Sequence, residues 1–331
     1  MMNDDANLNP NLFEADCEQQ PIRKGFGEGL LEAGKRDPRV VALCADLTES
    51  TQMHLFRDAF PERFVQIGVA EQNLVGVASG MAAMGKTAFC SSYAMFSPGR
   101  SWEQIRTTVA YNNQPVIIVG SHAGVSVGPD GGTHQAIEDI AITRVIPRMV
   151  VVSPCDAIEA KKATLALAAL RQPSYLRLAR EKTPVITTEE TPFEIGKAQI
   201  LWQPEEGKPQ VGIVATGALV AKALEAAKAL EEDGVAATVL NVHTIKPLDE
   251  DAVLSLAEDA GCLVTVEEHQ IAGGLGSAVA ELLAAQLPTP IEFVGVADRF
   301  GQSGKPEELV EYYGMGTSAI LEAAARAIAR R

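Results

Sequence analysis

The chain has 331 residues, 47 % hydrophobic and 21 % charged, a balance that suits a folded globule rather than a disordered or fibrous chain. Its length exceeds that of a usual single domain, so two domains are expected. A formal charge of −15 disfavours nucleic acid or an anionic membrane as partner, and five scattered cysteines without a Cys-x-x-Cys pair disfavour a disulfide framework or a zinc site.

No apolar stretch reaches the roughly 18–20 uncharged residues of a membrane span. The opening Met1-Met-Asn-Asp-Asp5 lacks the basic and apolar regions of a signal peptide, so a cytoplasmic protein is expected. Residues 1–17 read as a polar tail or arm. Beyond them, apolar β-branched runs alternate with helical patterns. Helices are predicted over Ile22 to Gly34, Glu71 to Met84, Ser101 to Tyr111 and Asp156 to Leu170. Buried strands are predicted at Val40–Cys44, Pro115–Gly120 and Met149–Ser153. Residues 181–193, rich in Pro, Thr and Glu and without a period, read as a linker. Alternation then resumes with strands at Val211–Ala215, Ala236–Leu240, Cys262–Glu267 and Ile291–Val294. Helices are predicted over Ala218 to Glu232, from Asp249, from Gly276 and near Thr317 to Arg331. The pattern implies an α/β protein of two consecutive domains, residues 18–180 and 194–331, with mainly parallel sheets flanked by helices.

In open parallel sheets ligands sit beyond the carboxyl ends of the strands, so the loops there deserve most weight. Four in the first domain are unusually polar or glycine-rich. Ala45-Asp-Leu-Thr-Glu-Ser50 follows the strand ending at Cys44, and its composition fits a helix cap as well as a ligand loop. Gly68-Val-Ala-Glu-Gln-Asn73 puts an acid in the first turn of a helix, where the macrodipole alone would favour it. Cys90 to Arg100 carries Tyr93 and Phe96 in a chain with only 5 % aromatics, a spacing that serves a core or a ring-binding wall. Gly120 to His134 gathers two of the five histidines, His122 and His134, with Asp130 in a glycine-rich loop that backbone and ligand can approach closely. Gly273-Gly-Leu-Gly276 partly imitates a dinucleotide fingerprint. Val279 replaces its third glycine and no acid closes the next strand, so packing is the better account. His243 and His269 read as structural or interface residues.

Taken in this order, Asp46-Leu-Thr-Glu-Ser50, Gly68-Val-Ala-Glu71 and Gly128-Pro-Asp-Gly-Gly-Thr-His-Gln135 resemble the transketolase family, over the whole chain beyond the tail. The likeness is greatest to the C-terminal subunit of split transketolases, with a thiamine diphosphate pyrimidine-binding domain followed by the family's C-terminal domain. The resemblance implies that Glu71 hydrogen-bonds the aminopyrimidine of thiamine diphosphate and activates it. It implies that Asp46, Leu47, Tyr93 and Phe96 border the cofactor, with Trp102 the candidate for a further aromatic. His122, Asp130 and His134 correspond to residues that bind the sugar, His122 and His134 acting at the reacting carbonyl. Arg23, Ser50 and Arg180 correspond to a sugar phosphate site, suited to guanidinium forks and hydroxyl donors.

The family binds the diphosphate through Mg²⁺ (or Ca²⁺) with a Gly-Asp-Gly segment followed by Asn roughly thirty residues later. This chain has no Gly-Asp-Gly, and no Asn stands between Asn113 and Asn241. A partner, the N-terminal transketolase subunit, is therefore implied, with shared active sites in an α2β2 assembly. The implied activity is transfer of a two-carbon ketol unit between sugar phosphates. Alternatives are a 1-deoxyxylulose-5-phosphate synthase-like enzyme, which shares Asp130-Gly and Thr133-His-Gln, the β subunit of a 2-oxo-acid dehydrogenase, and a non-catalytic regulatory homologue.

Overall fold

The computed structural model describes residues 1–331. The first part of the chain supplies β1 (Gln19–Pro21), β2 (Val40–Cys44), β3 (Phe64–Gln66), β4 (Thr87–Tyr93), β5 (Val116–Ser121), β6 (Val150–Val152), β7 (Ser174–Arg177) and β8 (Lys182–Pro184). The remainder supplies β9 (Gln199–Trp202), β10 (Val211–Ala215), β11 (Ala237–Asn241), β12 (Thr244–Lys246), β13 (Leu263–Gln270) and β14 (Ile291–Val296). A seven-stranded sheet runs β12-β6-β7-β5-β4-β2-β3, parallel except at β12. A five-stranded sheet runs β14-β13-β10-β11-β9, parallel except at β9. Fully buried strands such as Val40–Cys44 and Val211–Ala215 need apolar cover on both faces, and the flanking helices provide it. No helix is long and apolar enough to cross a membrane.

Several expectations need correction. The segment 1–17 is not a free polar tail: Ala6 and Leu12 are buried in the core of the five-stranded sheet, and Phe13 meets Trp202 edge-on at 5.8 Å. Residues 181–193 are not a featureless linker either. β8 pairs with β1, and the Ile186 and Thr187 amides donate to the buried Asp156 carboxylate at 2.8 and 2.6 Å. Nor is 194–331 self-contained, because β12 leaves it to pair with β6 of the larger sheet.

Two helices position the first ligand loops. Ile22–Arg36 lies against Ala157–Leu170 at close range because glycines face the contact: a Cβ on Gly25 would fall 1.7 Å from the Ala157 carbonyl oxygen. The helix Glu71–Ala83 begins directly beyond β3. The helix expected from Ser101 to Tyr111 is instead one α turn, Trp102–Gln104, continued as a π-helix over Ile105–Ala110.

Candidate active site

The loops after β2, β3, β4, β5 and β7 all emerge at the carboxyl edge of the larger sheet, and this shared edge brings distant residues together. Tyr93 is the last residue of β4 rather than a loop residue, and Phe96 follows in the turn beyond it. The two rings stack at 6.4 Å with an interplanar angle of 19°. His122 stacks on Tyr93 at 4.0 Å, and the His134 ring stands edge-on to Phe96 at 5.2 Å. The result is an aromatic wall with an imidazole at either end.

His122 directly follows β5 with φ +59°, and Asp46 follows β2 at one remove with φ +60°. Left-handed backbone is uncommon for residues with a Cβ, and it persists where the surroundings over-determine it. The surroundings of His122 do so. Its Nε2 lies 2.9 Å from Arg23 Nη1 and its Nδ1 lies 2.8 Å from Ser121 Oγ. A guanidinium can only donate, so Nε2 accepts and Nδ1 carries the proton toward Ser121. Burial first, then the charges of Arg23 and Arg180, push the His122 pKa down to about 3. The ring is neutral at physiological pH.

Arg23 opens the helix Ile22–Arg36 and also donates to the Ser50 carbonyl at 2.9 Å, so Ser50 contributes its backbone here rather than its hydroxyl. The Arg23 Nε is buried without a partner. Burial and then the neighbouring Arg180 lower its pKa. Arg180 donates to the Val127 carbonyl at 2.6 Å and pairs with the exposed Asp130 at 3.8 Å. Arg180 also pairs with Glu181 at 3.5 Å, so Arg23, with its unused buried donor, is the guanidinium of the two that carries no carboxylate partner and is suited to an anion.

Glu71 is the first residue of its helix and only 3 % exposed. Its carboxylate accepts from Ser92 Oγ at 3.4 Å and from Arg100 Nη1 at 3.2 Å. The Arg100 guanidinium also lies 4.6 Å from the centre of the Phe96 ring, joining the acid to the aromatic wall. Val69–Asn73 and Arg100 line a cavity of about 490 Å³ here. A larger cleft of about 850 Å³ lies between the two halves of the chain. Its lining holds Lys182 and Lys222 but six glutamates, an excess of negative charge unfavourable to a phosphate, and it excludes Glu71 and the rings.

The structure thus joins Ser50, Arg23, His122, Tyr93, Phe96 and His134 by successive contacts, with Glu71 linked to Phe96 through Arg100 and with Arg180 and Asp130 alongside. Asp46 and Leu47 are held in their own turn: the Asp46 amide donates to Gln66 Oε1 at 2.8 Å, and Leu47 packs on the core. Trp102 points elsewhere, its indole N–H donating to the Ile142 carbonyl at 2.6 Å. Arg100, Ser92, Ser121 and Gln66 were not anticipated. Only Arg100 left a signal, a cation four residues beyond Phe96.

Residues 18–185 match the family model described as transketolase, pyrimidine binding domain, and residues 196–320 match that described as transketolase, C-terminal domain. The chain is 46 % identical over 302 residues to a putative transketolase C-terminal section of Methanocaldococcus jannaschii, covering 90 % of this chain and 93 % of that protein. It is 42 % identical over 312 residues to a 6-deoxy-6-sulfo-D-fructose transketolase subunit of Clostridium sp. (strain MSTE9), covering 94 % and 96 %. A solved split-gene transketolase, described as an inactive β4 tetramer, matches with a TM-score of 0.86 at 42 % identity, covering 93 % of this chain and 98 % of that one. The chain belongs to the transketolase family, whose pyrimidine-binding and C-terminal domains it carries.

Proposed function

We propose that this chain is the C-terminal subunit of a two-subunit, thiamine diphosphate-dependent transketolase that moves a two-carbon ketol unit from a ketose phosphate to an aldose phosphate. The observation that carries the reading is the buried Glu71 carboxylate, opening on a pocket beside the stacked Tyr93 and Phe96 rings. That donor set suits the cofactor: an acceptor for a ring-nitrogen proton, with aromatic faces for the ring. When bound, thiamine diphosphate supplies the nucleophilic carbon and electron sink for breaking the bond between C2 and C3 of the ketose.

The chain's own residues then have definite tasks. Glu71, itself shielded from solvent, would share a proton between its carboxylate oxygen and the pyrimidine nitrogen. Tyr93 and Phe96 fix the plane of the ring, with Leu47 and Asp46 on the neighbouring turn. Neutral His122, its Nε2 accepting from Arg23 and its Nδ1–H directed at Ser121, borders the sugar between the phosphate-binding guanidinium and the Tyr93 ring, and His134 and Asp130 bind sugar hydroxyls. Arg23 and Arg180 hold the phosphate, with the Ser50 carbonyl orienting the Arg23 guanidinium. The diphosphate and its Mg²⁺ (or Ca²⁺) fall to an N-terminal subunit carrying the Gly-Asp-Gly and Asn motif that this chain lacks, in an α2β2 assembly. The relative named as a C-terminal section and the split-gene neighbour described as an inactive β4 tetramer support this division.

The test is to combine the chain with its partner, Mg²⁺, thiamine diphosphate, xylulose 5-phosphate and ribose 5-phosphate. Sedoheptulose 7-phosphate is expected from the complex and from neither subunit alone. The sulfosugar relative makes 6-deoxy-6-sulfofructose the second donor to assay. Glu71→Gln is expected to lower turnover by about 10²–10⁴-fold while leaving assembly intact. A verified complex inactive with every ketose donor would overturn the reading, and consumption of pyruvate would favour the deoxyxylulose-phosphate synthase alternative.

A further inference from the structure

We infer that the second half of the chain acts as a template for the sugar-recognition loop Gly124–His134, with Gln135 as the positioning residue that locks the two together. The inference rests on the functional reading above and gives the C-terminal domain a part in it.

The loop would be a poor recognition element by itself. Gly124, Gly128 and Gly131 all have positive φ, at +90°, +80° and +75°. Glycines in such conformations lose the most backbone freedom on ordering, so an untethered loop would oppose ligand binding by that entropy. Contacts with the second half remove the freedom in advance. At the loop's beginning, the Ser126 amide and hydroxyl donate to the buried Glu268 carboxylate at the end of the second sheet, at 2.6 and 3.1 Å. A Cβ on Gly124 would sit 2.3 Å from the Glu268 carboxyl carbon.

At the loop's end, the Gln135 side chain is 2 % exposed and its Nε2 faces three carbonyls. Two belong to the loop, Val125 at 2.9 Å and Gly128 at 3.3 Å, and the third is Gln302 at 2.9 Å. One amide group therefore ties the base of the loop to a turn almost 170 residues away in sequence. The turn follows the loop's contour. A Cβ on Gly132 would lie 2.6 Å from the Gly301 carbonyl oxygen, one on Gly131 2.7 Å from Ser303 Oγ, and one on Gly128 3.1 Å from Pro306. In return, a Cβ on Gly301 would strike Gln135 Oε1 at 1.7 Å. The glycines of both segments are thus explained by each other, and Asp130 and His134 are displayed from a surface shaped in advance of the ligand. Pre-organisation of this kind improves affinity by reducing what binding must order.

Gln135→Met, nearly isosteric but without donors, and Gly301→Ala, which presses on Gln135 from the opposite side, test the idea in the assembled two-subunit complex. Both are expected to raise amide hydrogen exchange across residues 125–134 and to raise the half-saturating ketose concentration about tenfold, the loss of roughly one well-made hydrogen bond. The half-saturating thiamine diphosphate concentration should not change, which separates a loop effect from general loosening of the site. Wild-type exchange in the loop, or a wild-type ketose requirement, in both variants would overturn the inference. Glu71→Gln serves as the control, losing turnover while the loop exchanges as in the wild type. If the complex catalyses no ketol transfer at all, the functional reading fails and takes the recognition role with it, whereas exchange still decides whether the second half holds the loop.

Discussion

An imidazole held between a serine hydroxyl and a guanidinium has little freedom to titrate, and His122 is so held. Its pKa of about 3, set first by burial and then by Arg23 and Arg180, lies below the ordinary value near 6.5. The unfolded chain therefore binds more protons than the folded one between those values. The His122 contribution to stability is present above pH 6.5 and is lost as pH falls toward 3. Histidine NMR should show the His122 ring neutral from pH 5 to pH 9. Arg23→Met removes one of the two cations and should raise the His122 pKa, though burial will still hold it below 6.5. The same variant should weaken sugar phosphate binding in the assembled enzyme. At this scale the sequence exposed the residues with unusual surroundings, Glu71, Tyr93, His122 and His134 among them. Of Arg100 it showed only the spacing from Phe96, and the role depends on a fold that sets the cation between Glu71 and the Phe96 ring.

Among elements, the contact between the helices Ile22–Arg36 and Ala157–Leu170 constrains both the site and its foundation. Arg23 lies two residues from Gly25, so displacing the helix also displaces the guanidinium. Gly25→Ala adds a methyl group 1.7 Å from a backbone oxygen, which no rotamer change can relieve. A loss of about 1–3 kcal/mol is expected from such overpacking, measurable by denaturant unfolding, together with a higher sugar phosphate requirement. Regular apolar strands such as Val40–Cys44 and Val211–Ala215 were legible because a strand buried on both faces reads as a continuous apolar run. β4 was not, since Ser91 and Ser92 interrupt its run. Their hydroxyls are buried and satisfied by the Val119 carbonyl and by Glu71, partners that exist only after folding. The π-helix at Ile105–Ala110 likewise carries an ordinary helical pattern in its sequence.

Across the whole molecule, alternation of strands and helices revealed two α/β halves but not how they interlock. The three-residue β12 is too short to announce that it crosses to the other sheet. The junction is also where buried charge accumulates. Arg177 pairs with Asp139 at 2.8 Å and donates to the Glu268 carbonyl, tying β7 to β13. Nearby β11 sends Asn241 to Glu159, at 2.8 Å, across the boundary between halves. Glu159 also accepts from the Cys155 amide at 2.6 Å and stands close to Asp156. Burial, then the Asp156 charge, raises the Glu159 pKa to about 7 against an ordinary 4.5. The folded state thus binds a proton more tightly than the unfolded chain. This term favours folding most below pH 4.5, weakens as pH rises to 7 and is constant above that. Glu159→Gln keeps the shape and an acceptor for one of the two donors, and it cannot ionise. Unfolding free energies measured from pH 5 to pH 8 should therefore fall less steeply for the variant than for the wild type. The variant should gain on the wild type by up to ~3 kcal/mol across that range. Parallel stability curves for the two proteins would show that Glu159 is already ionised in the fold, and that the junction tolerates two adjacent buried carboxylates.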